Sequence, residues 1–230
     1  MLLVGAKAVL PFLIMRLLET RHSYTRSERL SDAVIHVSGL VLVLIAVPVL
    51  ITLAAFLRGD FTALFGISVY GAALAAMILF SALYNMILHP GWAWLLKRLD
   101  HSAIYVKIAG TYTPFTLLSG QGGWLLAGLW GAALTGVGLK IVAPDRFRWL
   151  TLALYLGMGW AGLLAGGAFF ATLSTPVIVL IATGGALYTL GVLFYLFERL
   201  PFHYTIWHVL VLTASVVFYA AVTLHLVQTA

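Results

Sequence analysis

A chain of 230 residues that is 63% hydrophobic and 9% charged, with a mean hydropathy of +1.06, has too few polar groups to cover a water-facing surface. Its net charge of +6 gathers in the connections between apolar runs, which argues against a nucleic-acid partner, and the absence of cysteine excludes a disulfide framework and thiolate chemistry. In hydrocarbon every backbone N–H and C=O must be paired internally, and the apolar runs are long and unalternated, so an all-α bundle is predicted rather than a β-barrel.

The N-terminal stretch Met1–Leu18 is apolar but interrupted by Lys7, Pro11 and Arg16 and lacks a small-residue cleavage site, so an interfacial helix is expected within a cytoplasmic segment covering residues 1–30. Seven segments then reach the length of about 20 apolar residues that a span requires. They are Ala33–Leu57, Phe61–Leu88, Ser102–Leu118, Gly123–Val142, Trp149–Leu173, Pro176–Phe197 and Thr205–Gln228. Breakers separate them, among them Arg58-Gly59-Asp60, His89-Pro90-Gly91 and Ser174-Thr175-Pro176. Pro48 and Pro114 are expected to kink their spans, and Gly162-x3-Gly166 to offer a small-residue surface for close helix contact. One domain, a seven-transmembrane helix bundle, is expected over 1–230.

Orientation follows from the basic residues. Lys7, Arg16, Arg21, Arg26, Arg29, Lys97, Arg98, Lys140, Arg146, Arg148 and Arg199 all fall on one side of a seven-span chain, against Arg58 on the other. The positive-inside rule places the N-terminus in the cytoplasm and the C-terminus outside.

Polar side chains converge near the cytoplasmic side. Asp32 and His36 start span one, while Ser81, Asn85 and His89 lie at i, i+4 and i+8 at the end of span two. Asp100 and His101 open span three, and His203, Tyr204 and His208 open span seven. Helix starts favour Asp as a cap and His as an interface anchor, and Asp32, His89, His101 and His203 are assigned to those roles individually. Lys107 is two turns deeper than Asp100 on the same face, with Asp100 its nearest anionic candidate in sequence. It either supplies positive charge to a cavity that lost its metal, or snorkels or lines water near the midplane.

Five stretches carry a family resemblance: Glu28-x3-Asp32-x3-His36, Ser81-Ala82-Leu83-Tyr84, Leu99-Asp100-His101-Ser102-Ala103-Ile104-Tyr105, Ile108-Ala109-Gly110-Thr111-Tyr112-Thr113-Pro114-Phe115 and Ile206-Trp207-His208. With these the chain resembles the hemolysin III family, the bacterial branch of the progestin and adipoQ receptor (PAQR) superfamily. The resemblance implies a seven-helix fold in the bacterial inner membrane and a zinc site near the cytoplasmic face. By position its Ser is Ser81, its Asp is Asp100 and its last His is His208. Asn85 stands where a first His is expected and Tyr204 where a second belongs, and neither an amide nor a neutral phenol matches imidazole as a zinc ligand. No confident cofactor is therefore assigned.

The favoured function is membrane-lipid homeostasis or sensing, with a degenerate polar site in which Asn85, Lys107 and Tyr204 bind. The alternative is a metal-dependent hydrolase of a ceramide-type lipid, with Asp100 as base or water-orienting group, Ser81 as hydrogen-bond partner and His208 as ligand or acid/base. A pore, the weakest alternative, would need a charge ring or polar stripe that no span shows. Membrane lipids are the expected partners, and a homodimer is left open.

Overall fold

The computed structural model describes residues 24–142 and 147–230, and all its regular elements are helical. Helix α1 spans Arg26–Leu57, α2 Phe61–Met86, α3 Pro90–Ser119 and α4 Gly123–Val142. A broken leg follows, made of α5 (Arg148–Trp160), a 3₁₀ turn (Ala161–Leu164) and α6 (Gly167–Phe170). Helices α7 (Thr175–Leu196) and α8 (His203–Gln228) complete a bundle of seven legs. Five of these helices are long and apolar enough to cross a membrane: α1, α2, α4, α7 and α8. The interfacial helix expected over Met1–Leu18 lies outside the described residues.

Local chemistry sets the starts. Thr25 caps α1 by accepting from the Glu28 N–H, while the Glu28 carboxylate accepts from the Thr25 N–H at 2.8 Å, a reciprocal box that satisfies two orphan donors. Asp60 caps α2 through the Ala63 N–H and is held by Arg58 at 2.9 Å. Arg58 also donates to the Thr229 carbonyl, tying the first loop to the end of α8.

Two expectations are corrected. The third span was expected to begin at Ser102, but α3 begins at Pro90, because Pro at the first helical position costs no hydrogen bond and His89 caps the end through the Gly91 N–H. Asp100 is therefore a mid-helix residue, and Ala93, Leu96, Asp100, Ala103 and Lys107 bury one continuous stripe. The fifth span was expected to be continuous over Trp149–Leu173. It breaks instead after Trp160, and Gly166 adopts the left-handed φ of 85° that favours glycine. Gly162 and Gly166 thus do not form a shared helical contact face. A broken helix must have its freed backbone groups paired again. Tyr112 of α3 does this, donating to the Gly159 carbonyl at 2.7 Å and accepting from the Gly162 N–H at 2.9 Å.

The core runs along α2, whose Ala63, Ile67, Tyr70 and Leu74 are buried, and α2 packs most extensively on α3 while α7 packs on α8. Close approach is explicit at Gly136 of α4, where an added Cβ would stand 2.5 Å from the Tyr105 ring. Outward-facing side chains are apolar: on α1, Leu44 is 72% and Phe56 85% exposed, as expected of a surface that lipid covers. Helix α1 packs on both α2 and α8, which brings the starts of the first and last described helices together at the site.

Candidate functional site

Asp32 and His36 occupy successive turns of α1 and share a face. His36 Nδ1 lies 2.8 Å from the Asp32 carbonyl, which can only accept, so Nδ1 carries the proton and Nε2 is left as an acceptor. Nε2 faces the Ser81 hydroxyl at 3.2 Å and the Asn85 amide nitrogen at 3.5 Å. The Asn85 amide also donates to the Ser81 carbonyl at 2.9 Å, so it fixes the end of α2 around Ser81. Across the bundle, the Asp32 carboxylate accepts from His208 Nδ1 at 2.5 Å and stands 3.5 Å from His36 Nδ1. The two imidazoles meet edge to face at 4.4 Å, and Tyr204 packs edge-on against His208 at 4.6 Å.

This polar group opens on a cavity of ≈ 270 Å³ inside the bundle. His36, Ser81, Asp100, Lys107, Tyr204 and His208 all line it, whereas Asn85 stands behind Ser81 outside the lining. Asp100 is 7% exposed, and the remaining walls are mostly apolar, drawn from α2, α3, the broken leg, α7 and α8.

Lys107 lines the cavity, but its hydrogen-bond partner is not Asp100. Its ammonium donates to Thr111 Oγ1 at 2.7 Å and lies 5.3–6.0 Å from the ring centres of Tyr70, Phe218 and Tyr188. Thr111 is one turn away on the helix and Asp100 two, so the hydroxyl takes the bond, and no carboxylate among the described residues forms an ion pair with Lys107. At 3% exposure the head does not snorkel.

Asp32, read individually as a cap, is corrected to a site residue. The cap is Thr25, which puts Asp32 in the second turn, facing His208. His36, at the start of span one in the sequence, belongs to the site as well. The Thr25-x2-Glu28 box was the signal that could have found both, because it fixes the helix start in the sequence. His89 is a cap and His203 bonds Tyr24 at 3.1 Å, so neither reaches the cluster. Near the α7–α8 loop, the Glu28 carboxylate is held below the usual carboxylate range, first by the Phe202 N–H and then by Thr25.

The zinc that the resemblance implies needs three protein donors. At the two divergent positions, the Asn85 amide is spent on Ser81 and the Tyr204 ring packs on His208, so the family positions do not fit it. A different trio comes together: donor atoms of Asp32, His36 and His208 lie within 4.8 Å of one another. Zinc–nitrogen bonds of about 2.0–2.1 Å in a tetrahedron keep ligand atoms about 3.3 Å apart. The 2.5 Å Asp32–His208 contact is shorter than that, and it is the geometry of a hydrogen-bonded dyad with an imidazole beside it.

A helical bundle with a lipid-facing exterior and a buried His/Asp/Ser cluster over an internal cavity defines a multi-pass membrane protein with an intramembrane polar site. The comparisons place it more closely. The chain belongs to the haemolysin III family, matching the family described as "Haemolysin-III related" over residues 24–219. It is 37% identical over 214 residues to "Hemolysin-3" of Bacillus cereus, covering 92% of this chain and 97% of that one. It is also 37% identical over 210 residues to the "Hemolysin-3 homolog" of Bacillus subtilis (strain 168), covering 89% and 97%. The "Monocyte to macrophage differentiation factor" of Homo sapiens is 27% identical over 171 residues, 67% of each chain, which supports the PAQR superfamily relation.

Proposed function

We propose that this protein holds a membrane lipid inside its bundle and serves membrane-lipid homeostasis or sensing. The observation that carries this reading is the cavity, whose walls are largely apolar and whose lining includes the His36, Ser81 and His208 cluster. Such a pocket suits a long apolar ligand with one polar group. Lipids extracted from the protein in nanodiscs and weighed by native mass spectrometry should include a bound species. Ile104→Trp and Ile181→Trp, which place bulk in the lining, should displace it. Equal lipid retention in the filled variants would overturn the reading.

The proposed setting is the bacterial inner membrane with the N-terminus inside, supported by the eleven basic residues on one side of the spans. A reporter fused after Ala230 should read as exported and one fused at Gly91 as cytoplasmic.

A second reading, hydrolysis of an acyl lipid, is favoured by one observation. Ser81 Oγ, His36 Nε2 and the Asp32 carbonyl on Nδ1 form a hydrogen-bonded relay at the cavity wall. In that reading Ser81 Oγ bonds to the acyl carbon while its proton passes to His36 Nε2. The proton leaves with the amine or alcohol, and water then releases the acid and restores Ser81. A fluorophosphonate should label the protein at Ser81 and spare Ser81→Ala and His36→Ala. An unlabelled native protein would refute this reading.

A further inference from the structure

Lys107 lies inside the apolar part of the cavity wall, two turns or about 10 Å along α3 from Asp100. An ammonium has three N–H donors. One goes to Thr111 Oγ1, whose own proton is committed to the Lys107 carbonyl at 2.7 Å. The other two face aromatic rings, with no acidic partner among the described residues.

A buried ammonium with donors to spare is costly in a low-dielectric interior unless something accepts from it. An anionic acceptor compensates the charge of the ammonium as well as filling its hydrogen bonds. It must be small, because the site is walled by Tyr188 and Phe218 and sits deeper than the His36–Ser81 cluster. A phosphodiester would have to bring its glycerol and headgroup with it. A single chain ending in a carboxylate would not, and its methylenes would run along Leu156, Leu163, Phe169 and Ile181.

We propose that Lys107 anchors the carboxylate of a single-chain fatty acid within the bundle, with the apolar walls taking the chain. This rests on the reading of the cavity as a lipid site and specifies its ligand. The Lys107 rings become the floor of the carboxylate site, and Thr111 orients the ammonium towards it.

Binding of radiolabelled palmitate to the full-length protein in detergent, with palmitate and methyl palmitate as competitors, tests the assignment. The native protein should prefer palmitate at least tenfold over the ester. Lys107→Met should weaken palmitate at least tenfold and leave the ester unchanged, which also shows that the variant is folded. Lys107→Arg should keep part of the preference. No preference in the native protein, or full preference in Lys107→Met, overturns the anchor while leaving the cavity reading intact. Failure of both ligands to bind the native protein overturns both.

Discussion

Replacing Asp32 by Ala separates the two halves of the polar cluster without removing the Ser81–His36 contact. The His36 tautomer is fixed by the Asp32 main-chain carbonyl, which Ala retains, whereas the His208 bond is made by the carboxylate. Hydrogen bonds to a charged partner contribute about 1.5–3 kcal/mol, and leaving His208 Nδ1 buried without one costs about 1–3 kcal/mol. These terms overlap, so Asp32→Ala should cost about 2–4 kcal/mol. Asp32 is 14% and His208 7% exposed, so solvent replaces little of the loss. The assay is unfolding in mixed micelles of rising SDS content, read by tryptophan fluorescence for both single variants and for the Asp32→Ala, His208→Ala pair. The double loss should fall short of the sum by at least about 1.5 kcal/mol, whereas independent sites add to within about 0.5 kcal/mol. Strict additivity would refute the dyad.

Gly136→Ala sets a methyl 2.5 Å from the Tyr105 ring, which is 0% exposed and cannot swing away, so overpacking should cost about 1–3 kcal/mol in the same assay. Glu28 has a depressed carboxyl pKa, so its contribution is present above the ordinary carboxylate pKa and is lost as pH falls through the lower folded value. Glu28→Gln should therefore flatten the acid side of the stability profile and leave neutral-to-basic pH dependence unchanged; an unchanged acid limb would refute the cap's role. Asn85→His with Tyr204→His should bind zinc stoichiometrically by metal analysis, since three imidazoles then converge near Asp100. The unaltered protein should not, and stoichiometric zinc there that is lost in His36→Ala would relocate the metal to the Asp32, His36 and His208 trio.

Composition and run length made the bundle legible, because lipid-facing helices must be apolar around most of their circumference and their connections need charges or breakers. Two helix limits were not legible for local reasons. The polar, Trp-rich stretch from Pro90 to Leu99 reads as a loop by hydropathy, but its buried stripe continues that of the span. The break near Gly162 depends on a tyrosine 50 residues earlier that pairs the freed backbone groups, and no window on the fifth span contains it. In the site, Ser81, Asp100 and His208 followed from motif positions. Asp32 and His36 did not, because a carboxylate near a helix start satisfies a capping rule just as well until the true cap is found. The surroundings of Lys107 come from rings on three other helices, and sequence spacing favoured Asp100 only because it lies on the same one.

The bond between Asp32 and His208 closes a loop of 176 residues, and the Glu28–Phe202 bond beside it closes one of 174. Since synthesis runs from α1 towards α8, the earlier helices enter the membrane with half of the polar cluster still lacking its counterpart. Asp32 must wait through the insertion of every intervening helix before His208 arrives. Until then the carboxylate lies on the side of α1 that α8 will cover. Assembly of the site thus waits on α8, and a polypeptide halted before α8 would present an acid without its His208 partner.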